Sequence, residues 1–251
     1  MSFYFGEQTW PQLEEAIQKN TLVILPIGTT EEHGRHLPVE TDAMIATLFG
    51  DKIAEALEKE GIPVLVTRPI YYGYSMDIVT RWPGTLKIRT RVFMDYVFDM
   101  IDALMKQGFK KVAVLDCHGN HDGLLRTVMR EIADKHNQFI CILSPSKLTQ
   151  PVYDKLKKDP QGDIHGGEWE TSMILAYRPD LVNKSEYTHV DAIRCNHDLR
   201  GPVSTWGLQE TKTGLFGDPT YASAELGRAC LEAGTAEAVR LLKLFVDYQA
   251  T

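Results

Sequence analysis

Three short stretches of the chain carry most of the side chains able to hold a metal ion. They are Glu31-Glu32-His33-Gly34-Arg35-His36 running on to Asp42, Asp116-Cys117-His118-Gly119-Asn120-His121, and Asp163-Ile164-His165-Gly166-Gly167-Glu168-Trp169-Glu170. Five of the eight histidines lie in them. Imidazole mixed with carboxylate is the ligand set that suits zinc, manganese or iron. The chemistry to expect is metal-dependent hydrolysis. Glu31 and His33 stand two apart and share a side if the backbone there is extended. Asp42 has two oxygens and can bridge two ions. His118 lies just past an apolar run and can join the same site. His165 can reach it from a glycine-flanked loop, and Glu170 from a helix. Each residue alone has a plainer use: Asp42 as an N-cap, Glu170 as a helix surface charge, a single histidine as a loop hydrogen-bonder. Gathered at one edge of a sheet, they favour a metal centre.

The elements that must position them read as alternating strands and helices. Thr9 is a plausible N-cap for a first helix with Pro11 in its first turn. Thr21 to Gly28 is nearly all apolar, which suits a parallel strand buried on both faces. Asp42 sits where an N-cap would sit, ahead of an amphipathic stretch running to Leu57. Ile62–Thr67, Lys111–Asp116 and Phe139–Leu143 are further strands. Helices are expected over Thr90–Lys106, closed by Gly108, over Leu124–Lys135, over Glu170–Ala176 as a buried helix, and over Ala222–Tyr248 with a break at Gly234. Lys157–Gly162 reads as an exposed turn. This pattern predicts one α/β domain over residues 1–251: a mostly parallel sheet sandwiched between helices, with the metal site at the carboxyl ends of the strands.

Composition narrows the function. With 43% hydrophobic and 24% charged residues, 251 residues can bury an ordinary core. A net charge of -7 argues against nucleic-acid binding. The N-terminus lacks the basic-then-apolar plan of a signal peptide, and no apolar run is long enough to span a membrane. The four cysteines form no C-x-x-C pair. The reading is a cytoplasmic protein with free thiols, acting on a small molecule. Gly-x-Ser-x-Gly, His-Glu-x-x-His and phosphate-binding glycine loops are absent. Cys117 ends a buried strand and reads as a small core residue rather than a nucleophile. Tyr71, Tyr72, Tyr74, Trp82 and Trp169 are candidates to line a pocket for a flat or cyclic molecule.

Gly28-Thr29-Thr30-Glu31-Glu32-His33-Gly34-Arg35-His36-Leu37-Pro38-Val39-Glu40-Thr41-Asp42 resembles the first signature of the creatininase (creatinine amidohydrolase) family, Glu-x-His-Gly-x-His-Leu-Pro followed by Thr-Asp. Asp116 to Asn120, His165 to Ser172, Pro83-Gly84-Thr85 and Gly217 to Ala222 resemble its later segments. The resemblance implies an α/β fold, a homo-oligomer, often a hexamer, and two divalent ions, usually Zn2+ or Mn2+, with Fe2+ also suited to such ligands. By position it implies Glu31 and His118 on one ion, His33 on the other, Asp42 as the bridge and His165 as the proton-transfer group. Creatinine-hydrolysing members carry a glutamate where this chain has Asn120. That role passes here to Glu170, which joins His165 as a candidate catalytic residue, and Asn120 becomes a candidate substrate contact with Tyr74, Trp82 and Trp169. Ser75-Met76-Asp77-Ile78 is a second departure, where many members have a Glu-His pair. The activity implied is hydrolysis of a non-peptide C–N bond in a small cyclic amide. Hydrolytic opening of a cyclic polyol ketone, trimming of a small peptide and a non-catalytic metal-stabilised protein are the alternatives.

Overall fold

An unbroken apolar strand such as the one after Thr21 satisfies its backbone only between neighbouring strands and needs helices over both faces. The computed structural model, which describes residues 2–189 and 210–248, has that arrangement. In chain order the elements are α1 (Trp10–Gln18), β1 (Leu22–Ile27), α2 (Thr41–Lys59), β2 (Val64–Val66), α3 (Thr90–Gln107), β3 (Lys111–Asp116), α4 (Asp122–His136), β4 (Ile140–Leu143), α5 (Pro145–Leu156), α6 (Glu168–Tyr177) and α7 (Ala224–Asp247). The four strands among the described residues are parallel, in the order β2-β1-β3-β4.

Alternate residues of β1 face opposite layers. Leu22 and Ile24 pack with Phe49 of α2, Met173 of α6 and Leu242 of α7. Val23, Leu25 and Ile27 pack with Phe93 and Ile101 of α3 and Val128 of α4. Fully burying such side chains stabilises by about 1.5–3 kcal/mol each, so the central strands are the firmest part of the molecule. The site grows from their carboxyl ends.

Local signals explain most boundaries. Gln12 Oε1 accepts from Thr9 N at 2.7 Å, closing the start of α1. Gly108, at φ 113°, ends α3 in the left-handed region.

Four expectations need correction. Asp42 is not the N-cap of α2. Pro38 O accepts from both Thr41 N and Thr41 Oγ1, so the helix begins earlier, with Glu40 at the cap and Asp42 in the first turn. The closing helix does not break at Gly234. A Cβ there would lie 2.7 Å from Thr149 Cγ2 and 2.9 Å from Phe49 Cε1, so glycine serves the close approach of α7 to α2 and α5. Helix α5 was not expected; Pro151 lies inside it. Lys157–Gly162 is not wholly exposed. Asp159 is buried, and its carboxylate accepts from Gln161 N and Asp218 N. Cys117, Cys141 and Cys230 are free; Cys195 lies outside the described residues.

Candidate active site

Beyond the strand ends, backbone bonds keep the loops together. Cys117 N donates to Ile27 O at 3.0 Å, and Gly28 N to Ile70 O at 2.9 Å. A Cβ on Gly28 would collide with Ala43 N and lie 2.6 Å from Ala43 Cα, so glycine lets the end of β1 touch the first turn of α2. That contact brings Glu31 and Asp42, eleven residues apart, into one cluster.

Asp42 is the centre of the cluster. Its Oδ1 lies 3.2 Å from His33 Nε2, and its Oδ2 lies 2.9 Å from His118 Nδ1. His118 Nδ1 is also 3.4 Å from Glu31 Oε1. His33 Nε2 is 3.8 Å from Glu170 Oε1. His165 Nδ1 is 3.5 Å from Glu31 Oε1, and its ring centroid lies 4.4 Å from that of His33. Among the described residues, three groups therefore have ligand atoms close enough to share an ion: Glu31, Asp42 and His118; His33, Asp42 and Glu170; and Glu31, His33 and His165. All six residues are buried.

The surroundings fix ring and carboxylate orientation. His33 Nδ1 lies 3.0 Å from Glu31 O and so donates to it, which turns Nε2 toward Asp42 and Glu170. Glu170 Oε2 accepts from Gly166 N at 2.6 Å. Asp163 accepts from Gly167 N, Trp169 N and Glu170 N, capping the start of α6 and holding Glu170 in place. Burial opposes charge on His33, yet the Asp42 and Glu170 carboxylates hold its pKa above the usual imidazole value. Burial likewise opposes the Asp42 carboxylate, while His33 and His118 hold it below the usual range. Burial lifts the pKa of Glu170, with the Asp42 charge adding to it.

The donor set fits divalent cations. Glu31 Oε2 is a buried oxygen that accepts no hydrogen bond among the described residues. Glu31, Glu32, Asp42 and Glu170 crowd four carboxyl groups into a space nearly closed to water. Such a cluster is costly unless positive charge compensates it.

The other histidines of the motifs have structural partners. His121 stacks on Phe93, with Nδ1 3.0 Å from Asp116 Oδ1 and Nε2 accepting from Tyr74 N at 3.0 Å. His36 Nε2 lies 2.8 Å from Thr171 Oγ1. Burial, with the His33 and His165 charges, pushes its pKa down to about 4.

Candidate substrate contacts fall in different places. A cavity of about 200 Å³ opens beside Glu170, lined by Trp169, Tyr153, Cys117, Ile164, Ser146 and Gln150 among others. Asn120 Nδ2 lies 3.4 Å from His118 Nε2, on the side of the ring away from Asp42. The Tyr74 ring packs against the α3 layer, with Lys87 Nζ 5.1 Å from its centroid, and Trp82 is half-buried past the turn Asp77–Arg81. Ser146 and Gln150 escaped the sequence reading because α5 did. Glu32 escaped it because it sits at the open position of the first signature.

Known proteins share this architecture. The chain is 27% identical to the 3-dehydro-scyllo-inosose hydrolase of Thermotoga maritima, covering 92% of this chain and 79% of that protein. It is 26% identical to the creatinine amidohydrolase of Pseudomonas putida, covering 95% and 96%. It is 28% identical to the mycofactocin precursor peptide peptidase of Mycobacterium tuberculosis, covering 87% and 83%. A solved structure named creatininase Mn has the same fold, with a TM-score of 0.83 at 23% identity over 99% of this chain and 100% of that one. A creatininase variant of Zn-Zn type matches at the same TM-score and identity, with the same coverage. The creatininase (creatinine amidohydrolase) family matches residues 6–242. A chain that matches over nearly its whole length, and that carries the signature on a buried cluster of carboxylates and imidazoles, belongs to the creatininase family of metal hydrolases.

Proposed function

We propose that this protein hydrolyses a non-peptide C–N bond in a small cyclic amide, using two divalent cations held at Asp42. Glu31 and His118 would hold one cation, His33 and Glu170 the other, with Asp42 between them. The observation that carries this reading is the two-sided seating of Asp42, one oxygen toward His33 and the other toward His118. When bound, the cations, Zn2+ or Mn2+ with Fe2+ also suited to these ligands, would supply Lewis acidity and lower the pKa of water toward neutrality. The chain's own residues do the rest. His165 is within reach of the same cluster through Nδ1 and is the group that passes a proton to the leaving nitrogen. Glu170, kept in line by Asp163 and Gly166, faces both the cluster and the cavity. Trp169 and Tyr153 give the cavity an aromatic side that suits a flat ring.

The cavity is smaller than the roughly 300–1,000 Å³ of pockets for drug-sized ligands. A single ring fits this size better than an extended peptide. Ring opening of a cyclic polyol ketone is the second reading. Two observations favour it: Asn120 in place of the glutamate of creatinine-hydrolysing members, and the hydroxyl of Ser146 and amide of Gln150 on the cavity wall. The deciding experiment screens metal-loaded protein against cyclic amides and cyclic polyol ketones, with a chelated control. Turnover of an amide that chelation abolishes is the expected result. Turnover of ketones alone would replace the first reading with the second. No turnover, with chelation only lowering the melting temperature, would leave a metal-stabilised protein.

A further inference from the structure

Glu32 is a buried carboxylate beside the cluster that the proposed metal site does not use. Its backbone oxygen lies 2.7 Å from His165 Nε2, and its own Oε1 lies 3.4 Å from the same nitrogen. Two acceptors from one residue thus face one ring nitrogen. A lone pair there would be opposed twice, so Nε2 carries the hydrogen. A half-turn of the ring would put carbon at that position and leave two buried acceptors facing it.

The carboxylate is itself locked. Oε2 accepts from Gly34 N at 2.8 Å, and Glu32 N donates to Thr85 Oγ1 at 3.1 Å. Gly214, at φ +85°, lies against the carboxyl group; a Cβ there would fall 2.6 Å from Glu32 Cδ and collide with Oε2. Oε1 accepts no well-formed hydrogen bond among the described residues and is buried. Such an oxygen is costly to keep unless a partly positive N–H lies near it.

We propose that Glu32 is a positioning residue for His165: its backbone carbonyl and its carboxylate together hold the imidazole in the Nε2–H form and present Nδ1 to Glu31 and His33. The inference rests on the placing of His165 in the hydrolytic site, but its test does not need a substrate. Outer partners of this kind fix tautomer and ring direction in metal and hydrolase sites.

The experiment is a long-range 1H–15N correlation spectrum of the histidine side chains in the full-length, metal-free protein at alkaline pH. The His165 signals are identified by their loss in His165→Gln. The expected wild-type pattern is a single Nε2–H tautomer. Glu32→Ala removes the carboxylate and should give a mixture of tautomers. Glu32→Gln keeps the volume and an oxygen for Gly34 N, but then turns an NH2 toward Nε2–H, and should also give a mixture. An Nδ1–H pattern in the wild type would overturn the proposal, and so would wild-type patterns in both folded variants. If Glu32→Ala fails to fold, Glu32→Gln and the wild-type spectrum still decide. A mixture in the variants with no hydrolysis of any amide or ketone would uphold this role of Glu32 while removing the proposed reaction.

Discussion

Asp42 is the residue on which the proposed site turns. Replacing it by Asn keeps the shape but removes the charge that would lie between two cations. Metal content should fall from two ions to one or none, and turnover should drop by more than the 10–100-fold typical of losing an outer partner. Elemental analysis beside a rate assay checks both. Full metal content in Asp42→Asn would remove Asp42 from the ligand set. His36 makes a separate prediction about pH. Its folded pKa is pushed down to about 4, against about 6.5 for an unperturbed imidazole. Between those values the unfolded chain takes up a proton that the folded protein refuses. Stability of the metal-free protein should therefore fall as pH drops from about 6.5 to about 4, by about 3 kcal/mol at most. Urea denaturation across that window reads the effect. His36→Gln, which can still bond Thr171, should flatten it.

At the scale of elements, the contact between the end of β1 and the start of α2 decides whether the ligands meet. Gly28→Ala places a methyl group against Ala43. The overpacking should cost about 1–3 kcal/mol. It should also weaken Zn2+ binding, because Glu31 follows Gly28 and Asp42 precedes Ala43. Calorimetric titration of the folded variant tests this. An unchanged affinity would mean that the ligands do not depend on that contact. Most elements were legible in the sequence because period and caps agreed: β3 runs from Lys111 to Asp116 as expected, and Gly108 closes α3. Asp42 and Gly234 are residues whose usual local meaning gave way to a contact made elsewhere in the fold. Pro151 lies inside α5, a helix that packs along α7 and places Tyr153 in the core.

For the whole molecule, residues 1–251 are proposed to melt as one cooperative unit, since both faces of a single sheet are buried. Chelation should lower that melting point. A cation at a hundredfold excess over its Kd adds about 2.7 kcal/mol, which for a chain of this size is roughly 5–10 °C. Scanning calorimetry with and without chelator measures it. No helix among the described residues is long and apolar enough to cross a membrane. Self-association is also proposed. Tyr72, Leu86 and Tyr96 are about half exposed, and sedimentation should give a multiple of 28.4 kDa. A mass of one chain at all concentrations would exclude it.

By itself the sequence determined the alternation of strands and helices, the chemistry of the ligand types and the family signature, because these depend on local period and on residue identity. Tertiary structure alone decided which atoms meet. It set the two oxygens of Asp42 toward two different histidines, gave His121 and His36 structural partners, and laid Glu32 on His165. Distances across a fold depend on how layers pack, and residues far apart in the chain carry no local mark of the partner they will face.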